Sequence, residues 1–486
     1  MPAVNPLFQG PFSWRKLRAT IIKDILPEVI FFTLVATMVS CVDMLTVATL
    51  SIPNQLLTVL GTILGLVISF RTTSAYERFS EGRRTWSTFS VLCRHTAQII
   101  WHHVPNERPH KTDPALSKPA LYGIVEKKSM INLVSRRMVC SVHMLREEPG
   151  VYYEDLYPLV CVLPRYAYLT DGSRPSDLLP MWQASLAGQR SDWKPPALKK
   201  SATTLPSTSR FKVGFDPEKV LPTVFSDIPL RPARNPPPGS FFDYFPVLRP
   251  LKRIRRLFSR RHETHEEDGV YESDAAERKR MKELPVSNVP LEIITYLNGY
   301  NAFLLKNAFL LPPAATSLTN TLASLHDAVS TLDRIRTTPL PFAYQAHLKM
   351  SLWLYLFFLP FQIFRAMEWL TIPATTFTSF MLLGFLEIGQ EIENPFNYEL
   401  NDLDLDGFCL ALQRDLHEIT AHPAPLVPDD YIFTTWNQPF APADRRPAEE
   451  ILDDTLHAHH DDSWKESVRQ TLLQNWKMVD AETRNH

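Results

Sequence analysis

The chain has 486 residues with 51 basic and 52 acidic side chains, a balance that gives no electrostatic reason to expect nucleic acid as a partner. Its mean hydropathy of -0.13 is that of a soluble protein, but the average hides very apolar blocks separated from very polar ones. The cysteines (Cys41, Cys93, Cys140, Cys161, Cys409) show neither metal-ligand spacing nor a disulfide pattern and read as free, mostly packed thiols.

Residues 1–24 carry Arg15, Lys16, Arg18 and Lys23 and lack a short apolar core with a small-residue cleavage site. They read as a juxtamembrane segment, with a mitochondrial presequence as the alternative, and not as a secretory signal. An apolar stretch follows from about Val29 to Leu50, with Asp43 as its lone charge. A membrane span needs about 20 such residues. Ser51-Ile-Pro-Asn54 supplies a turn. A second helix is expected from Gln55, charge-free over Leu56–Phe70. No turn signal separates it from Phe70-Arg-Thr-Thr-Ser-Ala-Tyr-Glu-Arg-Phe-Ser-Glu-Gly-Arg-Arg-Thr-Trp86. The simplest reading is one helix that leaves a membrane and continues into water. Its period of 3.6 persists through Tyr76, Phe79, Trp86, Phe89, Cys93 and Ile100 and breaks near Pro105.

A further helix is expected over about Lys118–Arg146, and a short one, interrupted by Pro158 and Pro164, within Tyr153–Ala167. From Leu169 to about Pro285 proline pairs, Ser/Thr clusters and charge runs replace any apolar period. Such a segment cannot bury enough surface to offset its ordering entropy and is expected to be mostly disordered. It holds the basic run Lys252–Arg261 and a His262-Glu-Thr-His265 that misses the zinc spacing. Helix returns over Leu291–Arg336, broken at Pro312-Pro313. Its apolar positions include Ile294, Leu297, Phe303, Leu318, Leu322, Leu325, Val329 and Leu332. A third span covers about Met350–Phe364 with Pro360 inside it, Arg365–Glu368 makes a tight connection, and a fourth runs Trp369–Leu386. Helices over Leu405–Ala421 and Asp462–Met478 flank a Pro-rich linker.

Four spans put both termini on one side, together with the N-terminal basic cluster and Arg71, Arg78, Arg83 and Arg84. The opposite loops hold only Arg365, so the positive-inside rule places the termini on the cytosol-like side. The charge pattern does not say which membrane hosts the chain.

Four blocks resemble the bestrophin family of ion channels, in its bacterial, fungal and plastid branch. They are Phe70–Trp86, Arg334-Ile-Arg-Thr-Thr-Pro-Leu-Pro-Phe-Ala-Tyr344, Glu391-Ile-Glu-Asn-Pro-Phe396 and Asn401-Asp-Leu-Asp-Leu-Asp-Gly-Phe-Cys409. The resemblance covers about residues 12–167 and 287–420, with the blocks in register with the spans. It implies an all-α, multi-pass membrane protein with four transmembrane helices per subunit, a cytosolic helical bundle and pentameric assembly. The domain plan is then 1–24 juxtamembrane, 25–104 spans 1–2 with their cytosolic extension, 105–168 cytosolic helices and 169–285 insert. It continues with 286–340 cytosolic helices, 341–390 spans 3–4, 391–421 post-membrane segment and helix, and 422–486 tail.

The resemblance also implies a pore neck on one face of the second span. The family's motif phenylalanine corresponds to Phe70, and stepping back at i−4 and i−8 gives Leu66 and Thr62 on the same face. Thr62 departs from the bulky apolar residue often found there. The family's second, cytosolic constriction points to Leu340. Arg71, Tyr76, Arg78, Glu81, Arg336, Pro339 and Pro341 are expected at the pore mouth or as structural parts of the motifs, with Arg78 and Glu81 pairing at i,i+3. Without the resemblance, Phe70 and Leu66 would be read as lipid-facing or core residues.

The implied partners are chloride or other monovalent anions, further copies of the chain and a bilayer. No cofactor or metal is expected. Asp402, Asp404 and Asp406 imitate the start of an EF-hand loop, but its twelfth position is Gln413, and Asp404 or Asp406 suits a helix cap better. His457, His459 and His460 read as a solvated helix end. Glu387, Glu391 and Glu393 lack a companion nucleophile or metal set, so enzyme chemistry has little support. Two alternatives stay open: a monovalent cation channel on the same scaffold, and a membrane-anchored adaptor whose insert recruits partners.

Overall fold

A computed structural model describes residues 20–46, 50, 52, 55–108, 119–148, 150–163, 166, 221–222, 230–233, 288–424, 427–456 and 463–484. Helix dominates, and no strand occurs among the described residues. The helices are α1 (Ile22–Leu45), α2 (Gln55–Gln98, prolonged by a π turn Ile99–His103), α3 (Ala120–Leu145) and α4 (Tyr157–Val160). They continue with α5 (Val289–Lys306), α6 (Pro312–Thr337), α7 (Phe342–Met367), α8 (Thr371–Glu391) and α9 (Leu405–Ala421). Two more, α10 (Ala448–Leu456) and α11 (Ser463–Arg484), lie in the C-terminal region.

Among the described residues, three helical stretches are long and apolar enough to cross a membrane: Ile22–Leu45, Val59–His103 and Phe342–Glu391. The last contains α7 and α8, joined by a short turn at Glu368–Leu370 in which Glu368 takes φ 46°. The chain folds back there, because Leu340 at the start of α7 donates its N–H to Glu393, just past the end of α8. Glu28 pairs with Lys349 at 3.2 Å, and Thr33 and Thr376 share a hydrogen bond of 2.9 Å. The Ile52 N–H meets the Phe361 carbonyl at 2.9 Å. Together these contacts set α1 and α7 in one direction and α2 and α8 in the other. Ile25, Val29, Phe32, Leu64, Ile68, Leu348, Leu352, Leu356, Leu359, Leu383 and Leu386 form their common core. Ala36 and Ser40 on α1, with Thr371, Thr375 and Ser379 on α8, are fully buried. Small side chains of this kind let helix backbones approach closely.

The second half of α2 leaves this bundle and enters another core. There Trp86, Phe89, Cys93 and Ile100 pack against α3, α5, α6 and α9. Burying each large apolar side chain is worth about 1.5–3 kcal/mol, so this core fixes the direction of the long helix. The π turn ends on the buried Lys127, whose Nζ donates to the Trp101 and Val104 carbonyls at 2.9 and 3.0 Å. A cation suits the negative end of a helix, although burial pulls the Lys127 ammonium down to about 8.

Several boundaries move relative to expectation. The first apolar helix runs Ile22–Leu45 rather than Val29–Leu50. Its polar first turns are stabilised by contacts such as Glu28–Lys349, and Asp43 ends it by accepting the Leu50 N–H at 2.6 Å. The fourth segment runs on to Glu391, past Glu387. Among the described residues of the Tyr153–Ala167 region, Tyr157–Val160 alone is helical. Tyr76 and Phe303, expected in apolar faces, are largely exposed. The disorder expected over 169–285 lies outside the described residues except at 221–222 and 230–233. Arg231 donates to the Tyr152 carbonyl and accepts from the Glu154 N–H, both at 2.9 Å, in a parallel bridge with Tyr153. The basic run Lys252–Arg261, His262 and His265, and the His457–His460 group also lie outside the described residues.

Candidate functional site

One face of α2 presents Val59, Ile63, Leu66 and Phe70 outward, while Leu64, Ile68, Arg71 and Ala75 pack inward. Leu66 is 58% exposed and Phe70 62%. Phe70 is therefore not a core residue of the single chain. Thr62 lies on the same exposed side. The three expected neck residues thus share one unburied stripe.

Arg71 does not join that stripe. It is buried, and its Nη1 donates to the Leu386 carbonyl of α8 at 3.2 Å. Of the two roles expected for it, the structural one fits this burial. Arg78 does not pair with Glu81 in the expected i,i+3 manner. Its guanidinium donates to three carbonyls, Glu393 at 3.2 Å, Ile335 and Thr338, and so closes the end of α6. Glu81 instead accepts from Arg334 at 2.6 Å. Arg336 is held by Asp333 and Glu147 at 2.9 Å each. Tertiary partners outcompete the local pair because α6 lays its own C-terminal carbonyls and Arg334 alongside α2.

Leu340 lies between Pro339 and Pro341 in the link from α6 to α7 and is partly buried. Its N–H donates to Glu393 Oε1 at 2.7 Å. Gln345 donates to the Leu340 carbonyl at 3.3 Å and to both Glu393 oxygens at 3.1 and 3.0 Å. The buried Glu393 carboxylate therefore joins the end of α8 to the Leu340 loop, a role not legible from the Glu-Ile-Glu-Asn-Pro-Phe block. Next to it, Phe396 is fully buried against Gly82 of α2.

The three aspartates after α8 take separate tasks. Asp404 caps α9 through the Gly407 N–H at 3.0 Å. Asp406 receives Arg146 on both oxygens at 3.0 Å. Asp402 accepts the Glu399 N–H at 2.8 Å. Burial, reinforced by the Glu399 and Glu391 charges, lifts Asp402 to about 7 against that hydrogen bond. Close by, His143 is wedged between Glu148 at 2.5 Å and Asp155 at 3.2 Å. Burial opposes its charge, but the two carboxylates prevail and hold it at about 9.

The bacterial/fungal bestrophin description matches residues 10–193 and 256–418. The chain belongs to this bestrophin family. The stretch between the two matched parts falls inside the Pro-rich insert. Among curated relatives, the voltage-dependent anion channel-forming protein alr2987 of Nostoc sp. is 38% identical over 136 residues, covering 28% of this chain and 44% of that one. The similarly named sll1024 of Synechocystis sp. is 33% identical over 138 residues, 28% of this chain and 45% of its own. YneE of Escherichia coli is 30% identical over 147 residues, 29% and 48% of the two chains. The chain thus spans about half the length of the curated relatives it matches. A crystal structure of a bacterial bestrophin homolog from Klebsiella pneumoniae aligns over 82% of this chain and 100% of that one, at 14% identity and TM-score 0.47.

Proposed function

We propose that the chain is one subunit of a homopentameric bestrophin channel for chloride and other monovalent anions. The subunit crosses the bilayer four times, through α1, the first half of α2, α7 and α8, with both termini on the cytosol-like side. The observation that carries this reading is the exposed apolar stripe Leu66–Phe70. It sits on a helix that continues unbroken into the second core, and the sequence resemblance assigns the neck to this helix.

Around a fivefold axis each lining residue becomes a girdle. The edges of aromatic rings are electropositive, so inward edges of Phe70 stabilise a partly dehydrated anion. An apolar ring has no strong binding site, lets ions leave again, and can gate by dewetting. Thr62 gives the outer end of the neck a wetter lining. Leu340 forms the second constriction on the cytosolic side. Opening is calcium-independent, since the carboxylates of Asp404 and Asp406 already serve a helix cap and an arginine.

The test is planar-bilayer recording of purified protein in asymmetric NaCl, with its mass measured in detergent. A mass of five protomers and a reversal potential near that of chloride are expected. A reversal potential near that of sodium would establish the cation-channel alternative. A stable monomer without current, with partner capture by residues 169–285, would favour the adaptor.

A further inference from the structure

We propose that Glu393 is the positioning residue of the cytosolic constriction, acting through Leu340. The proposal rests on the reading of Leu340 as that constriction. Within Pro339-Leu340-Pro341 the prolines have no N–H. The Leu340 N–H is therefore the one peptide donor in the tripeptide, and Glu393 Oε1 accepts it at 2.7 Å. The Leu340 carbonyl is held as well, by Gln345 at 3.3 Å, and Gln345 is itself fixed by both Glu393 oxygens at 3.1 and 3.0 Å. Both backbone groups of Leu340 thus depend on one carboxylate.

Glu393 is 6% exposed. A buried carboxylate is costly unless its hydrogen bonds are made, and the described ones all serve this loop. The Glu393 backbone is anchored in turn, since its carbonyl accepts Arg78 Nε at 3.2 Å. The same guanidinium grips Ile335 and Thr338 on the other side of Leu340. Arg78 belongs to α2, the helix that carries Phe70. One junction therefore ties the neck helix, the end of α8 and the Leu340 loop together. A shift of α2 relative to α8 would be transmitted to Leu340 without any contact between the two constrictions.

Two measurements on the full-length assembled protein test this. The first is hydrogen exchange over residues 338–345. Glu393→Ala should speed exchange at Leu340 by about tenfold or more, because a hydrogen bond to a charged group is lost, while α6 peptides stay unchanged. Glu393→Gln, whose amide oxygen still accepts the Leu340 N–H, should show a smaller effect and serves as the assembled variant if the alanine form does not assemble. The second is the iodide-to-chloride permeability ratio in wild type, Leu340→Ala, a Glu393 variant and the double variant. The Glu393 variant should shift the ratio in the same direction as Leu340→Ala and add nothing in the Leu340→Ala background. Unchanged exchange at Leu340, or an undiminished shift in the double variant, would overturn the role of Glu393 alone. An unchanged ratio in Leu340→Ala would overturn the constriction reading beneath it.

Discussion

The ring of Phe396 rests on the bare Cα of Gly82: a Cβ there would stand 3.2 Å from Phe396 Cζ and 3.4 Å from Pro395 Cγ. Two sequence blocks more than 300 residues apart thus meet where α2 leaves the first bundle. Alanine at 82 gains about 0.8–1.0 kcal/mol of helix propensity, which offsets part of its crowding. Gly82→Val has no such compensation and overpacks the contact at a cost of about 1–3 kcal/mol. The melting temperature of the detergent-solubilised protein should fall clearly for valine and little for alanine. Equal melting of wild type and the valine variant would mean the ring is free to move aside.

Phe70→Ala should raise conductance or abolish gating and weaken selectivity among anions. Because Phe70 is largely exposed on the single chain, assembly should remain near normal. A core phenylalanine would instead lose about 3–5 kcal/mol on truncation and misassemble. Size-exclusion profile and single-channel conductance of the same variant check both. A well-assembled variant with wild-type conductance and selectivity would refute the neck.

Currents in strong chelator and in micromolar calcium should agree. Asp404→Ala should cost about 1 kcal/mol as a lost helix cap and lower the melting temperature without conferring or removing any calcium response. A steep calcium dependence abolished by that substitution would show that the aspartates ligate.

Stability should fall as pH rises, in two windows. Asp402 keeps its proton to about 7 in the fold but loses it near 3.8 when unfolded. The folded state therefore binds more protons between those values, and stability declines across them. His143 stays charged to about 9, against 6.5 unfolded, so its contribution is complete below 6.5 and is lost through about 9. Melting temperature against pH is the measurement. Asp402→Asn should flatten the acidic window and His143→Gln the alkaline one; unchanged profiles would contradict the burial argument.

Replacing residues 175–280 by a short flexible linker should leave the assembly and its conductance intact. It removes the two backbone hydrogen bonds of Arg231, each worth about 0.5–1.5 kcal/mol net, so a modestly lower melting temperature is expected. Loss of the pentamer on deletion would show that the insert is part of the scaffold.

Much of this architecture was legible in the sequence because it depends on local rules. The absence of a turn signal between Leu56 and Trp86 made α2 one helix, and Pro312-Pro313 marked the start of α6. The 3.6 period found Trp86, Phe89 and Cys93 as core. The same rules could not rank partners across the chain. Arg78 sits one turn from Glu81, yet it binds the carbonyls of Ile335, Thr338 and Glu393, and Glu81 takes Arg334. Arg71 could be read as a mouth residue or a structural one from sequence, and only the packing shows it buried beneath α8. Tyr76 continued the apolar period but faces outward, since the helix passes between two bundles there. Arg231 pairs with Tyr152 and Glu154 through backbone groups, which carry no side-chain signature. Periodicity fixes which residues share a helical face. Which face meets which neighbour, and so whether Glu393 grips Leu340, is decided only when helices far apart in sequence pack together.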